Sequence, residues 1–273
     1  MKGLLIIVAV CAIVFFAFKF NIILGFAITA AIILFAIYRS LPVIMQFKSR
    51  KYTMDGDFKS ARDILAKAVS RPNATDDVKM EYSYILMRTG QFEEAEQVIN
   101  NILSKRVDNN LRGRAILQRC LCYYKQNNLS EALEDAYSLY NEGFRSMTLY
   151  GLLGYFKVLE NPRSEETFKF CLEAYDYASD DRDICDNLLI CYYNRGEYQK
   201  AKEISDSVLE NNPKFVEAWY HGAQIDVKLG DYKSAKEKLD MIDDCNRSYM
   251  TTISVEEVEN LMNEVTQKLE VND

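Results

Sequence analysis

The sequence predicts an all-α chain: an N-terminal transmembrane helical hairpin, then an α-α superhelix of about six stacked helix pairs, then a C-terminal capping helix. Three observations predict it. Asn194-Arg195-Gly196-Glu197-Tyr198-Gln199-Lys200-Ala201 returns 34 residues later as Lys228-Leu229-Gly230-Asp231-Tyr232-Lys233-Ser234-Ala235, and a fixed period of that length marks an array of helical hairpins. The first 41 residues hold two long uncharged runs. Apolar residues near the C-terminus, beyond the last repeat, recur at helical spacing.

Gly3–Phe18 and Ile22–Tyr38 are uncharged and are separated by Lys19-Phe20-Asn21. One straight helix through both would be about 54 Å long, far beyond the roughly 30 Å hydrocarbon core. Two short spans, about 3–18 and 22–38, fit better, each about 25 Å. Bilayer thinning and snorkelling of Lys19 absorb the shortfall. The competing reading is a signal peptide cut after the first run. No small-residue cleavage site precedes a polar mature chain there, so the expectation is retention. Residues 1–51 carry six bases (Lys2, Lys19, Arg39, Lys48, Arg50 and Lys51) and no acid. Four of these follow the second run, which places both ends of the hairpin and the large domain, residues 42–273, in the cytoplasm at the cell membrane.

The turn before each second helix appears six times: Gly56-Asp57-Phe58, Gly90-Gln91-Phe92, Asn127-Asn128-Leu129, Asn161-Pro162-Arg163, Gly196-Glu197-Tyr198 and Gly230-Asp231-Tyr232. Glycine or asparagine there suits a left-handed residue closing the first helix. An alanine follows at fixed offset in five units, Ala61, Ala95, Ala132, Ala201 and Ala235, where a small side chain lets paired helices close up. The fourth unit departs; a one-residue slip makes Thr167, Cys171 and Ala174 its small positions. The first unit begins at Pro42, a residue suited to a first helical turn, so a break is expected near Leu41. Ser254-Val255-Glu256-Glu257 has capping-box form. Val258, Leu261, Met262, Val265 and Leu269 continue a capping helix over about 254–270.

These residues resemble the tetratricopeptide repeat family over about Pro42–Tyr249. The fullest copy has Trp219, Gly230, Tyr232, Ala235 and Leu239 in pattern positions, and its neighbour has Leu188, Tyr192, Gly196, Tyr198, Ala201 and Pro213. The resemblance implies a right-handed superhelix whose first helices line a concave groove for a protein partner. In register, Met80, Tyr84, Met87, Leu117, Leu121, Tyr124, Tyr155, Val158, Ile190, Tyr193, Tyr220 and Val227 would face that groove. Arg114, Asp183, Asp186 and Glu217 would edge it. Family members that grip the acidic C-termini of chaperones use a lysine, asparagine and arginine clamp. The matching positions hold Leu117, Leu121, Gly151, Asp183 and Asn187 in one frame, and Gly151, Tyr155, Asn187, Glu217 and His221 in the next. Acids stand where bases belong, so no such clamp is expected.

No catalytic site, cofactor or metal site is read. His221 is the one histidine and falls on a helix. Cys120 and Cys122 point to different faces, with no second pair to complete a zinc site. No phosphate-cradling loop or nucleophile elbow occurs. Seven cysteines without framework spacing read as reduced thiols used as small hydrophobes. Asn73-Ala74-Thr75, Asn128-Leu129-Ser130 and Asn246-Arg247-Ser248 have the form of glycosylation acceptors, which mean nothing in a cytoplasmic domain. Beyond residue 51, 27 bases face 40 acids, which argues against nucleic-acid binding. The expectation is a membrane-tethered scaffold that binds a peptide or helical segment in its groove and performs no chemistry. The alternative is a structural assembly factor that uses its anchor for contacts and its array as a spacer or oligomerisation surface.

Overall fold

The computed structural model describes residues 2–272, without the side chains of residues 2–4, 6 and 272. Among them are fourteen α-helices, a 3-10 turn and no strand. The helices are α1 Lys2–Phe20, α2 Ile22–Met54, α3 Phe58–Val69, α4 Asp76–Arg88, α5 Phe92–Leu103, α6 Asn109–Lys125 and α7 Leu129–Asn141. They continue as α8 Met147–Glu160, α9 Glu165–Tyr177, α10 Arg182–Asn194, α11 Tyr198–Leu209, α12 Val216–Leu229, α13 Tyr232–Asp240 and α14 Val255–Asn272. The 3-10 turn is Met241–Asp244. The chain forms two units, Met1–Tyr82 and Ser83–Asp273. The expected division at 41/42 falls inside α2.

In the first unit, α1 and α2 pack together across a turn at Asn21, whose Oδ1 accepts from the Ile23 and Leu24 N–H groups at 2.9 and 3.2 Å. This asparagine supplies the N-cap that two orphan donors of α2 need. Gly25 lets the Phe18 ring lie against the backbone, where a Cβ would come within 2.4 Å of the ring. Large apolar side chains along both helices, from Leu5 to Phe47, stay exposed. By length and composition α2 can cross a membrane, whereas the apolar stretch Ile7–Phe20 is shorter.

No break occurs near Leu41: α2 runs through Pro42 without interruption. Proline deprives the Tyr38 carbonyl of its i+4 donor, and Asn73 replaces it. Asn73 Nδ2 donates to the Tyr38 and Arg39 carbonyls at 3.3 and 2.9 Å. The C-terminal part of α2 then pairs with α3 as the first repeat, with Ala61, Leu65 and Ala68 fully buried. Gln46 Nε2 and Arg50 Nε both donate to Glu81 Oε2, at 2.8 and 2.9 Å.

In the second unit, α6/α7, α8/α9, α10/α11 and α12/α13 form successive pairs. Five of the six marker turns hold a left-handed residue: Gly56, Gly90, Asn127, Gly196 and Gly230 have φ between 64° and 82°. The fourth does not. Asn161 sits at φ −156°, ψ 87°, because a residue before proline is driven into extended backbone. The alanines at fixed offset are fully buried, and Thr167, Cys171 and Ala174 fill the corresponding places in α9. Leu149, Leu153, Phe156, Ile184 and Leu139 centre the interior of α7–α10. Val216, Trp219, Leu239, Leu261 and Val265 centre that of α12–α14.

Asp226 is fully buried on α12 and takes Lys202 Nζ at 2.9 Å, Ser234 Oγ at 2.7 Å and Lys238 Nζ at 2.5 Å. Burial alone would raise its carboxyl; the two lysines and the serine outweigh that and hold it below the usual range. At the end of the array, the capping box forms as expected. Glu257 N–H donates to Ser254 Oγ at 3.1 Å, and Ser254 N–H donates to Glu257 Oε2 at 2.8 Å.

Removing Asp226 leaves two lysines around an uncompensated buried site, so Asp226→Ala is expected to cost about 3–5 kcal/mol in urea unfolding. A double-mutant cycle tests the α2 continuation. Asn73→Ala should cost about 1 kcal/mol with Pro42 present. It should be nearly neutral in a Pro42→Ala background, where the backbone bond to Tyr38 is restored.

Candidate protein-binding groove

The first helices α6, α8, α10 and α12 lie side by side on one face of the second unit. Their approach depends on small residues on α8. A Cβ at Gly151 would come within 3.2 Å of Asp183 Cβ, and one at Gly154 within 2.8 Å of Asn187 Nδ2. Asn187 Nδ2 uses that closeness to donate to the Gly151 carbonyl at 2.8 Å. The face encloses a groove of about 870 Å³. Leu121, Tyr124 and Lys125 wall it from α6, and Tyr155 and Val158 from α8. Asp183, Asp186 and Ile190 do so from α10, and Glu217 and His221 from α12. Part of the remaining wall is residues 246–253, the linker that leads into α14.

Two tyrosines from successive repeats meet in the groove. The Tyr124 and Tyr155 hydroxyls lie 2.7 Å apart, and their rings pack edge to face at 5.4 Å. Burial, followed by the hydrogen bond shared with Tyr124, raises the Tyr155 phenol well above its usual range. Burial also lowers the Lys125 ammonium from its ordinary value, with Glu217 acting the other way.

The acidic side is built on α10 and α12. His221 Nδ1 donates to Asp186 Oδ1 at 2.7 Å, with side chains only 14% and 17% exposed. Burial would lower the His221 pKa; Asp186, with Glu217 and Glu257 behind it, outweighs burial and holds it above the ordinary value. Asp183 touches solvent at the rim, but the concave wall strips much of its water. That desolvation, with Asp181 and Asp186 nearby, pushes its carboxyl up to about 6.

Eight of the sixteen residues expected to face or edge the groove line it together: Leu121, Tyr124, Tyr155, Val158, Asp183, Asp186, Ile190 and Glu217. Met87 and Leu117 are interior, 1% and 4% exposed. Tyr220 and Val227 pack into the α12–α14 interior, because the closing helix covers that side of the last repeat. Tyr193 stacks edge-on against Tyr198 at 5.5 Å. Tyr84 is exposed, with its hydroxyl accepting from Arg88 Nη1 at 3.0 Å. Arg114 is exposed on α6, and Met80 is buried in the first unit. The sequence reading missed Lys125 and the whole 246–253 segment as groove elements.

Residues 52–120 match the family model described as tetratricopeptide repeat. The fold is of the tetratricopeptide-repeat type. A tetratricopeptide repeat protein from Parabacteroides merdae ATCC 43184 aligns with a TM-score of 0.57 at 16% identity, covering 85% of this chain and 88% of that one. A thermophilic tetratricopeptide protein of Thermus thermophilus aligns with a TM-score of 0.55 at 14% identity, over 71% of this chain and 99% of its own. The Cut9–Hcn1 hetero-tetramer of the APC/C gives a TM-score of 0.66 at 12% identity, over 85% of this chain and 45% of that one. No curated protein sequence matches the chain.

The His221–Asp186 pair gives the array a defined pH response. A histidine held above its unfolded value near 6.5 contributes stability that is complete below that value and lost as pH rises through the folded one. The raised Asp183 carboxyl acts in the same direction, withdrawing stability as pH climbs from about 4 through about 6. Asp186→Asn is therefore expected to cost about 2 kcal/mol at pH 5.5 and clearly less at pH 9, in paired denaturant titrations.

Proposed function

We propose that the chain is a membrane-tethered scaffold that binds a polypeptide segment in the groove of a cytoplasmic tetratricopeptide array. The observation that carries the binding reading is the groove itself. It is built by four first helices, it is large enough for a polypeptide segment, and it combines aromatic and aliphatic walls with charged side chains of both signs. Apolar wall with a few placed polar groups is what a recognition site needs. Asp183 and Glu217 stand at positions where a clamp would carry bases, which supports a partner other than one bound by carboxylate clamping. The groove presents walls for contact, and the reading is binding without chemistry.

Tethering is read from α2. Its apolar window is almost wholly uncovered by the rest of the chain, as expected of a helix whose solvent is lipid. Its continuation through Pro42 into the first repeat also favours an anchor over a removable signal. Cleavage within α2 would cut into the helix that covers Ala61, Leu65 and Ala68 of α3. Arg39, Lys48, Arg50 and Lys51 lie beyond the apolar stretch and favour a cytoplasmic side for the array.

The test separates the two parts. Tyr124→Ala combined with Ile190→Ala should cut capture of crosslinked protein partners at least tenfold while leaving the chain in the carbonate-washed membrane pellet. Leu34→Arg should release the chain from that pellet. Equal capture by the groove variant and the wild type would sink the binding reading; a soluble wild-type chain would sink the tether.

A further inference from the structure

Ten residues, Cys245–Ser254, join the 3-10 turn to α14, longer than the usual connection of about 4–6 residues. Instead the linker crosses the groove. Asn246 N–H donates to the Lys214 carbonyl at 2.9 Å, and a turn closes from Thr251 N–H to the Ser248 carbonyl at 3.0 Å. Lys125 Nζ, from the far wall, donates to the Thr251 carbonyl at 3.2 Å. The Thr252 N–H and hydroxyl both donate to Glu217 Oε1, at 2.7 and 3.0 Å. The Tyr249 ring lies against the Gly90 turn, so close that a Cβ there would come within 2.8 Å of it.

We infer that this strap is an internal occupant of the groove, and that the external partner is an extended segment that displaces it by repeating its contacts. This rests on the peptide-binding reading above. The strap's chemistry defines the partner. It needs a threonine or serine whose N–H and hydroxyl both reach Glu217, a preceding carbonyl for Lys125, and an aromatic residue three positions earlier for the Gly90 corner.

Three features make the strap displaceable rather than structural. Its direct bonds to the groove helices are polar and few. Tyr249 remains 65% exposed, and Ile253, which packs on the α12–α14 interior, lies at the strap's fixed end; segments held this way between their ends open at low free energy. Its ends are fixed independently, Cys245 against the α12–α14 interior and Ser254 in the capping box. The middle can leave while both flanking elements stay folded. Glu217 and Lys125 would then present an unsatisfied acceptor and donor in a half-desolvated groove, and such groups gain most from a partner that pairs them.

The experiment uses the full chain in detergent micelles and a fluorescein-labelled synthetic peptide of residues 246–254. Tyr249→Ala with Thr252→Pro removes the ring and both donors to Glu217 from the strap alone. This variant should bind the peptide at least tenfold more tightly than the wild type, and adding Glu217→Gln should reverse the gain. Equal binding by wild type and variant would overturn the strap as an occupant while leaving a groove that takes peptides. Binding by neither would overturn the strap proposal, and the groove reading would then be judged by partner capture alone. Hydrogen exchange on the wild type gives a check independent of any variant's folding. The Thr252 amide should exchange at least tenfold more slowly than in the free peptide; equal rates would overturn the proposal.

Discussion

Every helix pair depends on one steric constraint: at one point the two backbones approach so closely that only a small side chain fits between them. Ala61, Ala95, Ala132, Ala201 and Ala235 occupy that point with no exposed surface. Close-packed interiors tolerate neither a void nor an added methylene there. Repetition of the same contact at nearly constant spacing keeps successive first helices in register, and that register brings Tyr124, Tyr155 and Ile190 from three helices to one groove. The α8–α10 approach adds a local version, in which the side chain of Asn187 takes the room that Gly151 and Gly154 leave.

The repeat was legible because its determinants are local. A left-handed residue, an aromatic or leucine two positions on and a buried alanine each leave a mark at fixed offset, and the exception at Asn161-Pro162 was equally visible. Half of the expected groove positions were harder to see for a physical reason. Register says which side of a helix a residue occupies, but not whether another element covers that side. Tyr220 and Val227 stand at groove positions and are enclosed by α14; Leu117 and Met87 are swallowed by their neighbours. The strap was invisible for the opposite reason. Asn246 to Ile253 follows no period, and its groove contacts pair residues far apart in sequence, as with Lys125 and Thr251. Its one signal was a hydroxyl-rich linker of unusual length.

The failed break near Leu41 follows the same logic. Proline weakens a helix by orphaning a carbonyl, so sequence alone points to an interruption. Asn73, on the linker after α3, supplies the missing donor from a distance that no local pattern reveals. Tertiary contact overrides a local rule here at the cost of one well-placed amide.

The uninterrupted α2 also has a mechanical meaning. Helices are stiff on the scale of a few turns, and no supple joint separates the apolar half of this rod from the half that packs on α3. A swivel or lean imposed on the apolar end must therefore reach α3 as a torque instead of dissipating in a loose leash. The first repeat follows the apolar half of α2 as a rudder follows its stock.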